Sequence, residues 1–569
     1  HVAQEALKQS YYRLASDMGG PMRAINLRTG RIEPFHSIPL PAFGGDKKIG
    51  DALLHGHFEY AGQKLDIGRQ GDPWTLPAPS ERFAYWLHSF SWLNDLVSIT
   101  DKVATVRARF LADRWIEIYG HWNPYAWDND ILANRVFAWL SVWSDELAAD
   151  NLSDLAYNRR ANLIRQLKRL RNTFSRTPAG LPRLKAAASL ALGGLYMTDR
   201  ADSFLNKGLD LLNDEIEIQI LPDGGHISRS PEQALQALHI LSVLNEALEI
   251  RAVPATKILH RAIERLRHVI PFFRMTDGGL ACFNGGSECD KNLIKSLIDT
   301  PKFESKPFVY CPHTGYQRAE NNGTVLILDT GNVPPRPFDL DAHLGPLSFE
   351  LSTIAGRLIV NCGWSDEQPM AWRSMMRSTA AHSTITLSDH SAGEILNSGM
   401  KSRILGKAIQ SGPDEVKATR KDQAAGTWLE TSHNGYMPRT GLTHRRRIYI
   451  KDDGTDIRGE DGLLVPIGAA PISRDEIPFD VRFHLHPSVR ATLAQDMQSA
   501  LLIQPGHVGW RFRTDGGAMR IEESAYLGKG ETPIKSQQIV ITGTAFADSD
   551  GETRSNRVRW SIRRLEART

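Results

Sequence analysis

Along the first half of the chain, apolar residues recur every three to four positions. In ERFAYWLHSFSWLNDLVSIT, Phe83, Trp86, Phe90, Leu93 and Val97 fall on one helical face. Comparable stretches run over 129–148, 154–174, 181–198, 201–219, 231–250 and 254–272, separated by short breaks that carry Gly, Pro or Asn. Successive helical patterns without intervening strands predict antiparallel helical hairpins over 81–305, as in an (α/α) toroid. Past 305 the period changes to two. GTVLILDTG, LSFELSTIAGRLIVNCG, HSTITLSD, LTHRRRIYIKDDG, VRFHLHP, HVGWRFRTDGG and QQIVITG read as short strands. Their close spacing predicts an antiparallel β-sandwich over 306–569. The expected fold is α+β and multidomain, with residues 1–80 as an irregular leader carrying short strands and packed on the helices.

Composition narrows the class without changing this picture. The 569 residues are 41% apolar and 23% charged, a soluble globular balance. A net charge of +3 argues against a dedicated nucleic-acid surface but leaves room for a local basic groove. No apolar run reaches the ~18–20 residues of a spanning helix, and the first residues lack the charged and apolar regions of a signal peptide. The chain begins at His1 rather than Met, so export stays open. A periplasmic or cell-envelope location is favoured over a cytoplasmic one, and a homodimer is carried as an expectation. Four cysteines (Cys282, Cys289, Cys311, Cys362) are too few to staple a chain of this length and are expected as buried thiols, with Cys282–Cys289 the one alternative pair.

Polar residues gather on loops in five places. LPDGGHISRSPEQ (221–233) interrupts the helical half with Asp223, two glycines, His226, Ser228 and Arg229. FDLDAHLGPLSFEL carries Asp341 and His343, and IVNCG carries Asn361 and Cys362. WRSMMRSTAAHSTITL carries Arg373, Arg377 and His382, and TSHNGYMPRTGLTHRRR carries His433, Tyr436 and His444 to Arg447. Each has an ordinary structural explanation. A loop DGG makes a turn because Gly tolerates positive φ, and a His at a strand start can be a capped structural residue. In HRRR, strand alternation sends His444 and Arg446 to one face and Arg445 and Arg447 to the other.

Together these motifs resemble one family. A helical half followed by a β half, D-G-G-H on the inter-helix loop, A-H-x-G-x-L-S-F-E, L-I-V-N-C-G and A-H-S-T-I-T-L, in this order over roughly 80–460, are similar to the heparinase II/III-like family. The resemblance implies polysaccharide lyases with a toroid, a sandwich and substrates such as heparan sulfate or alginate. β-Elimination removes the C5 proton of a uronate, which requires a base, an acid for the departing oxygen, and neutralisation of the adjacent carboxylate. On this reading His226 is base or acid, His433 or Tyr436 its partner, and Arg229 with Arg377 the neutralisers. Arg183 and Arg373 would help draw in an acidic glycan, and Trp122, Tyr125, Trp127 and Trp139 offer stacking faces, Trp139 being the one expected in the core.

The resemblance also implies one structural zinc at His343, Asn361 and His382, with Cys362 adjacent and a better ligand than Asn. The alternative is a hydrogen-bonded His–Asn–His cluster. The chain departs from the family pattern at named positions. Gln233 stands where the lyases have a catalytic Tyr, no Asn lies between Gly180 and Lys185, Asp341 replaces the first His of H-x-H-x-D, and Gly345 replaces its Asp. Two further function classes follow from these departures. Asp341 with Glu232, beside Gln233, could serve a glycoside hydrolase, and a non-catalytic glycan-binding protein could keep the fold alone.

Overall fold

Four of the described helices begin on the side-chain caps that the sequence offers. In the computed structural model, which describes residues 32–41, 43–142, 153–198, 201–299, 308–466, 476–530, 532–546 and 556–566, Asp46, Ser80, Asp101 and Ser153 accept from backbone N–H groups two or three residues ahead. Pro182 and Pro231 sit in first helical turns, where a missing N–H costs nothing. The chain divides into two compact units, one of residues 1–220, 234–267 and 292–304, the other of residues 221–233, 268–291 and 305–569.

The first unit is helical. Its helices include Lys47–Leu54, Glu81–His88, Leu93–Val97, Lys102–Tyr119, Asn129–Val142, Asp154–Thr173, Leu181–Tyr196 and Ala201–Gln219, with one hairpin of His57–Tyr60 and Gln63–Asp66. The stretch expected as one helix from 81 is two, because Phe90 takes a left-handed φ of 55° between them while its ring stays buried. The helix Lys102–Tyr119 escaped the periodicity reading for a physical reason. Its buried face mixes small residues (Ala104, Ala108, Ala112) with Arg107, Leu111 and Trp115, while Val103, Val106 and Phe110 point outward and blur the pattern. Residues 143–148 of the expected 129–148 helix lie outside the described residues. The core is aromatic, with Trp92, Trp115, Trp127 and Trp139 fully buried. Arg135 lies 4.1 Å from the Trp115 ring centroid and donates to the carbonyls of His88 and Ala126 and to Gln166.

The second unit holds the strands. One antiparallel sheet runs in the order Val416–Gln423, Gly426–His433, Thr443–Lys451, Asp456–Leu464, Arg557–Arg564, Val508–Thr514, Ser499–Gln504 and Arg490–Leu493. The other runs Met519–Tyr526, Ile534–Phe546, Glu476–Leu485, Gly356–Val360, Phe349–Thr353, Thr324–Asp329, Tyr316–Asn321 and Tyr310–Cys311, with Ile385–Leu387 paired to Glu476–Leu485. Inward side chains of both sheets share one core, in which Phe349 of one sheet stacks on Trp560 of the other at 5.6 Å. Thr443–Lys451 alternates strictly: His444, Arg446, Ile448 and Ile450 are buried, and Arg445, Arg447 and Tyr449 face outward. A helical half followed by antiparallel sheets is the architecture expected from the sequence. All four cysteines are free thiols, and no described helix is long and apolar enough to cross a membrane.

Candidate functional site

The loop 221–233 is fastened within the second unit by Asp223. Its carboxylate accepts from the Gly225 N–H, from the backbone N–H groups of His313 and Thr314, and from the Thr314 hydroxyl at 2.7 Å. The two glycines answer to geometry. Gly224 has φ +88°, and a Cβ on Gly225 would lie 1.8 Å from Thr314 Oγ1. Asp223 therefore braces the turn, as its position in DGGH suggests.

His226 and Arg229 were the groups expected to meet substrate, and both are buried instead. The Nδ1 of His226 accepts the Ser228 N–H and lies 2.7 Å from the Ser228 hydroxyl, and burial lowers the ring's pKa to about 3. Arg229 adopts φ 63° and spends its guanidinium on the carbonyls of Thr314, Gly315 and Asn332 and on the Asp329 carboxylate. Tyr316, whose ring lies 5.0 Å from that guanidinium, donates its hydroxyl to the Arg229 carbonyl. Arg377 is committed in the same way, to the carbonyls of Asp339, Ala342 and Lys407. Neither arginine is placed to neutralise a substrate carboxylate. Fixing loops with buried guanidiniums needs many backbone acceptors in reach, and no sequence pattern reports that.

His433 and Tyr436 also lie inside the sandwich. The Tyr436 hydroxyl donates to the Ile385 carbonyl at 2.7 Å, and burial pushes its pKa up. His433 accepts from the Gly435 N–H and sits 3.3 Å from His444 Nδ1, while His444 Nε2–H donates to Asp461. Asp461 also holds Arg446 and the Trp560 N–H, and those partners keep its carboxyl well below the usual range despite burial. These groups form a buried polar network behind the outward strand face. Among the remaining candidates, Arg373 is half-buried, and Trp122 (39% exposed) and half-buried Arg183 belong to the helical unit.

The residues matched to a zinc site form a hydrogen-bonded chain. His343 Nε2 accepts the Gly285 N–H at 3.1 Å, His343 Nδ1 lies 2.9 Å from His382 Nε2, and His382 Nδ1 lies 2.8 Å from the Ser378 carbonyl. A carbonyl only accepts, so the proton positions follow: His382 carries its proton on Nδ1, and His343 donates from Nδ1 to His382 Nε2. Each neutral ring has one lone pair, and both are used. Burial lowers the His382 pKa to about 4 and depresses His343 further, which suits neutral rings. Asn361 Oδ1 accepts from the Ser383 N–H, and the Cys362 thiol, pushed up to about 12 by burial, turns to His484 at 3.4 Å. A zinc would need His343 to move its proton to Nε2, against the Gly285 N–H. The donor set does not fit the metal, and among the described residues no group of three or more His, Cys, Asp or Glu side chains is arranged to hold one.

A different pair of groups meets at the loop. Glu232 accepts from the Ser287 N–H and hydroxyl at 2.8 and 2.9 Å. Desolvation, with the charge of Asp366 adding to it, raises the Glu232 carboxyl pKa. Its Cβ lies 3.5 Å from where a Cβ on Gly286 would be, and the Asp341 Cβ lies 2.9 Å from that point on Gly285, which has φ +79°. Glu232 and Asp341 thus flank one Gly–Gly dipeptide, both only partly buried, and Gln233 follows Glu232 in the same helical turn. Reading Glu232 only as a helix-start acid would have missed this pairing; the signal in the sequence is the unusual GG of FNGGSE.

Comparison with known proteins identifies the scaffold. Residues 304–561 match the family model described as heparinase II/III-like, C-terminal. FtsZ-localized protein C of Caulobacter vibrioides (strain NA1000 / CB15N) is 34% identical over 556 residues, covering 96% of this chain and 93% of that relative. The chain belongs to the heparinase II/III-like family. Heparinase III has the same fold, with a TM-score of 0.67 at 13% identity, covering 99% of this chain and 91% of that one. A mutant of heparan sulfate lyase HepC from Pedobacter heparinus aligns with a TM-score of 0.61 at 16% identity, covering 100% and 91%. Within the A-H-x-G-x-L-S-F-E motif, the glutamate ties three segments together, since Glu350 accepts the N–H groups of Cys282 and Asn361 and pairs with Arg357. Gly345, the glycine of this motif, lies against the His382 ring, and a Cβ there would come within 2.5 Å of it.

Proposed function

We propose that the protein cleaves a uronic-acid-bearing glycan by β-elimination, with proton transfer carried by Asp341 and Glu232. The observation behind this reading is that the Cβ atoms of these two acids approach the neighbouring glycines Gly285 and Gly286, while His226, Arg229, Arg377 and Tyr436 are occupied inside the protein. Asp341, standing at the family's catalytic His position, takes the C5 proton as a carboxylate. Glu232, its protonated form favoured by desolvation, gives a proton to the departing C4 oxygen as the C4–O bond breaks and the C4=C5 double bond forms. The Gln233 amide supplies N–H to the uronate carboxylate. The test is absorbance of the unsaturated uronate during incubation with heparan sulfate, alginate and polygalacturonate, with reducing ends assayed in parallel. Rising absorbance that disappears in Asp341→Asn supports elimination. New reducing ends without absorbance mean hydrolysis by the same two carboxyls.

The Caulobacter relative favours a second reading, in which this chain is an assembly protein associated with FtsZ and keeps the lyase scaffold without turnover. Co-sedimentation with FtsZ polymers, together with silence in both glycan assays, would support it.

A further inference from the structure

The outward face of the sheet that contains Thr443–Lys451 carries a groove of about 640 Å³, lined by Trp428, Arg447, Arg458, Glu460, Arg513 and Arg559 among others. It crosses five neighbouring strands, Gly426–His433 to Val508–Thr514, a span of roughly 19 Å at ~4.8 Å per strand. We propose that this groove is a docking surface for an acidic glycan chain, distinct from the loop 221–233.

Charge is the first argument. The single carboxylate of Glu460 lies within 3.4, 3.5, 3.9 and 3.1 Å of the guanidiniums of Arg445, Arg447, Arg557 and Arg559. Glu430 and Asp456 also pair arginines here and Asp515 lines the groove, yet Arg445, Arg447, Arg458, Arg513, Arg557 and Arg559 outnumber Glu430, Asp456, Glu460 and Asp515, so the face carries a positive surplus that the chain's near-neutral total conceals. Arg447 reaches Glu430 as well. Guanidiniums held as a fan around a shared carboxylate present outward N–H groups in the geometry that carboxylates and sulfates accept.

An aromatic platform is the second argument. Trp428 is 44% exposed on a polar sheet face, paired across strands with Tyr449 and tilted against it at 4.7 Å between ring centroids. A flat indole beside a row of cations suits a sugar ring, whose C–H face stacks while its anionic substituent reaches an arginine. A lipid surface is flat and would not need a groove, and an acidic peptide would leave the indole face without a specific partner.

The glycan chemistry rests on the proposed function, whereas the docking surface does not rest on turnover. The test uses the full chain as Glu232→Gln, to block cleavage, and titrates it with heparan sulfate and alginate at rising salt. Binding that weakens at least tenfold in Trp428→Ala and in Arg447→Glu, recovers in Trp428→Phe and falls with salt supports the surface. Trp428 is exposed and Arg447 half-exposed, and the melting temperatures of these variants should match the parent. Unchanged binding in both loss variants, or no binding of either glycan, overturns the proposal. Equal binding of poly-glutamate or of phosphatidylserine vesicles, insensitive to Trp428→Ala, also overturns it in favour of an acidic protein or a membrane. Groove-dependent binding with no turnover by the unsubstituted protein would sink the elimination reading and leave this one standing.

Discussion

His343 Nδ1 donates to His382 Nε2 at 2.9 Å, and this bond fills the place where the family resemblance led us to expect zinc. Both rings are fixed from behind, by the Gly285 N–H and the Ser378 carbonyl, so neither nitrogen can change role without stranding a buried donor or acceptor. The protein should therefore purify without stoichiometric zinc, and its melting temperature should be the same with and without a chelator. His382→Ala should cost about 1–3 kcal/mol, because it leaves the His343 N–H unpaired in the interior. Metal analysis with thermal melts checks this; a chelator-induced drop of several degrees would sink it.

Acid should unfold the protein before its carboxylates titrate. Burial lowers His88, His239 and His382 to about 4, and His226 and His484 to about 3. A depressed histidine is neutral in the folded state, so below ~6.5 the unfolded chain binds the extra proton. Each group's contribution is fully present above that pH and is lost as pH falls towards the folded value, at most about 3–5 kcal/mol each. Glu350, lifted to about 7 by burial, works in the opposite sense: its contribution is present at low pH and is lost as pH rises through 7. Asp130, Glu215, Glu232 and Asp329 are raised in the same sense, while His343, His433 and His444 join the depressed histidines. Melting temperatures measured between pH 7.5 and 4.5 should be level at the top and fall steeply below 6.5.

Arg229→Ala should act on folding before it acts on chemistry. The substitution leaves Asp329 buried with its charge unpaired and strands three carbonyls, a loss of about 3–5 kcal/mol. Arg229→Lys should recover little, since one ammonium cannot reach four acceptors in that fan. Denaturant titration reads both. An Arg229→Ala protein of unchanged stability but no turnover would return this residue to the catalytic reading.

The strand region was legible because period two is a local signal, and HRRR shows how far that carries: His444 and Arg446 are inward, Arg445 and Arg447 outward, as alternation requires. The helix Lys102–Tyr119 was not legible, since Val103, Val106, Phe110 and Ile118 put apolar residues on its outer face and three alanines and Arg107 share the inner face with Leu111 and Trp115. For the candidate site, the motifs named loops but could not report that many of their side chains turn inward. Arg229 and Arg377 read as charges offered to a ligand, and each is spent on backbone carbonyls contributed by segments remote in sequence. Departures from the family pattern had already named Asp341 and Glu232 together, but patterning could not report that their Cβ atoms approach the neighbouring Gly285 and Gly286 of a third segment.

The last prediction separates the two carboxyls by pH. If Asp341 is the base, it must be ionised, so turnover rises with pH on the acid side. Glu232 must hold its proton to protonate the leaving oxygen, and desolvation has raised its pKa, so turnover falls again as pH climbs through that raised value. The resulting bell belongs to the pair rather than to either residue alone. Glu232→Gln keeps the shape and can still accept from the Ser287 N–H, but it cannot give a proton. It should lower kcat by about 10²–10⁴ on a polysaccharide and remove the alkaline limb. A substrate whose leaving group departs as a stable phenolate should regain most of that loss, because it needs no proton. Asp341→Asn should not be rescued this way, since the C5 proton must still be removed. Equal rescue of both variants would mean that the roles are not divided as proposed.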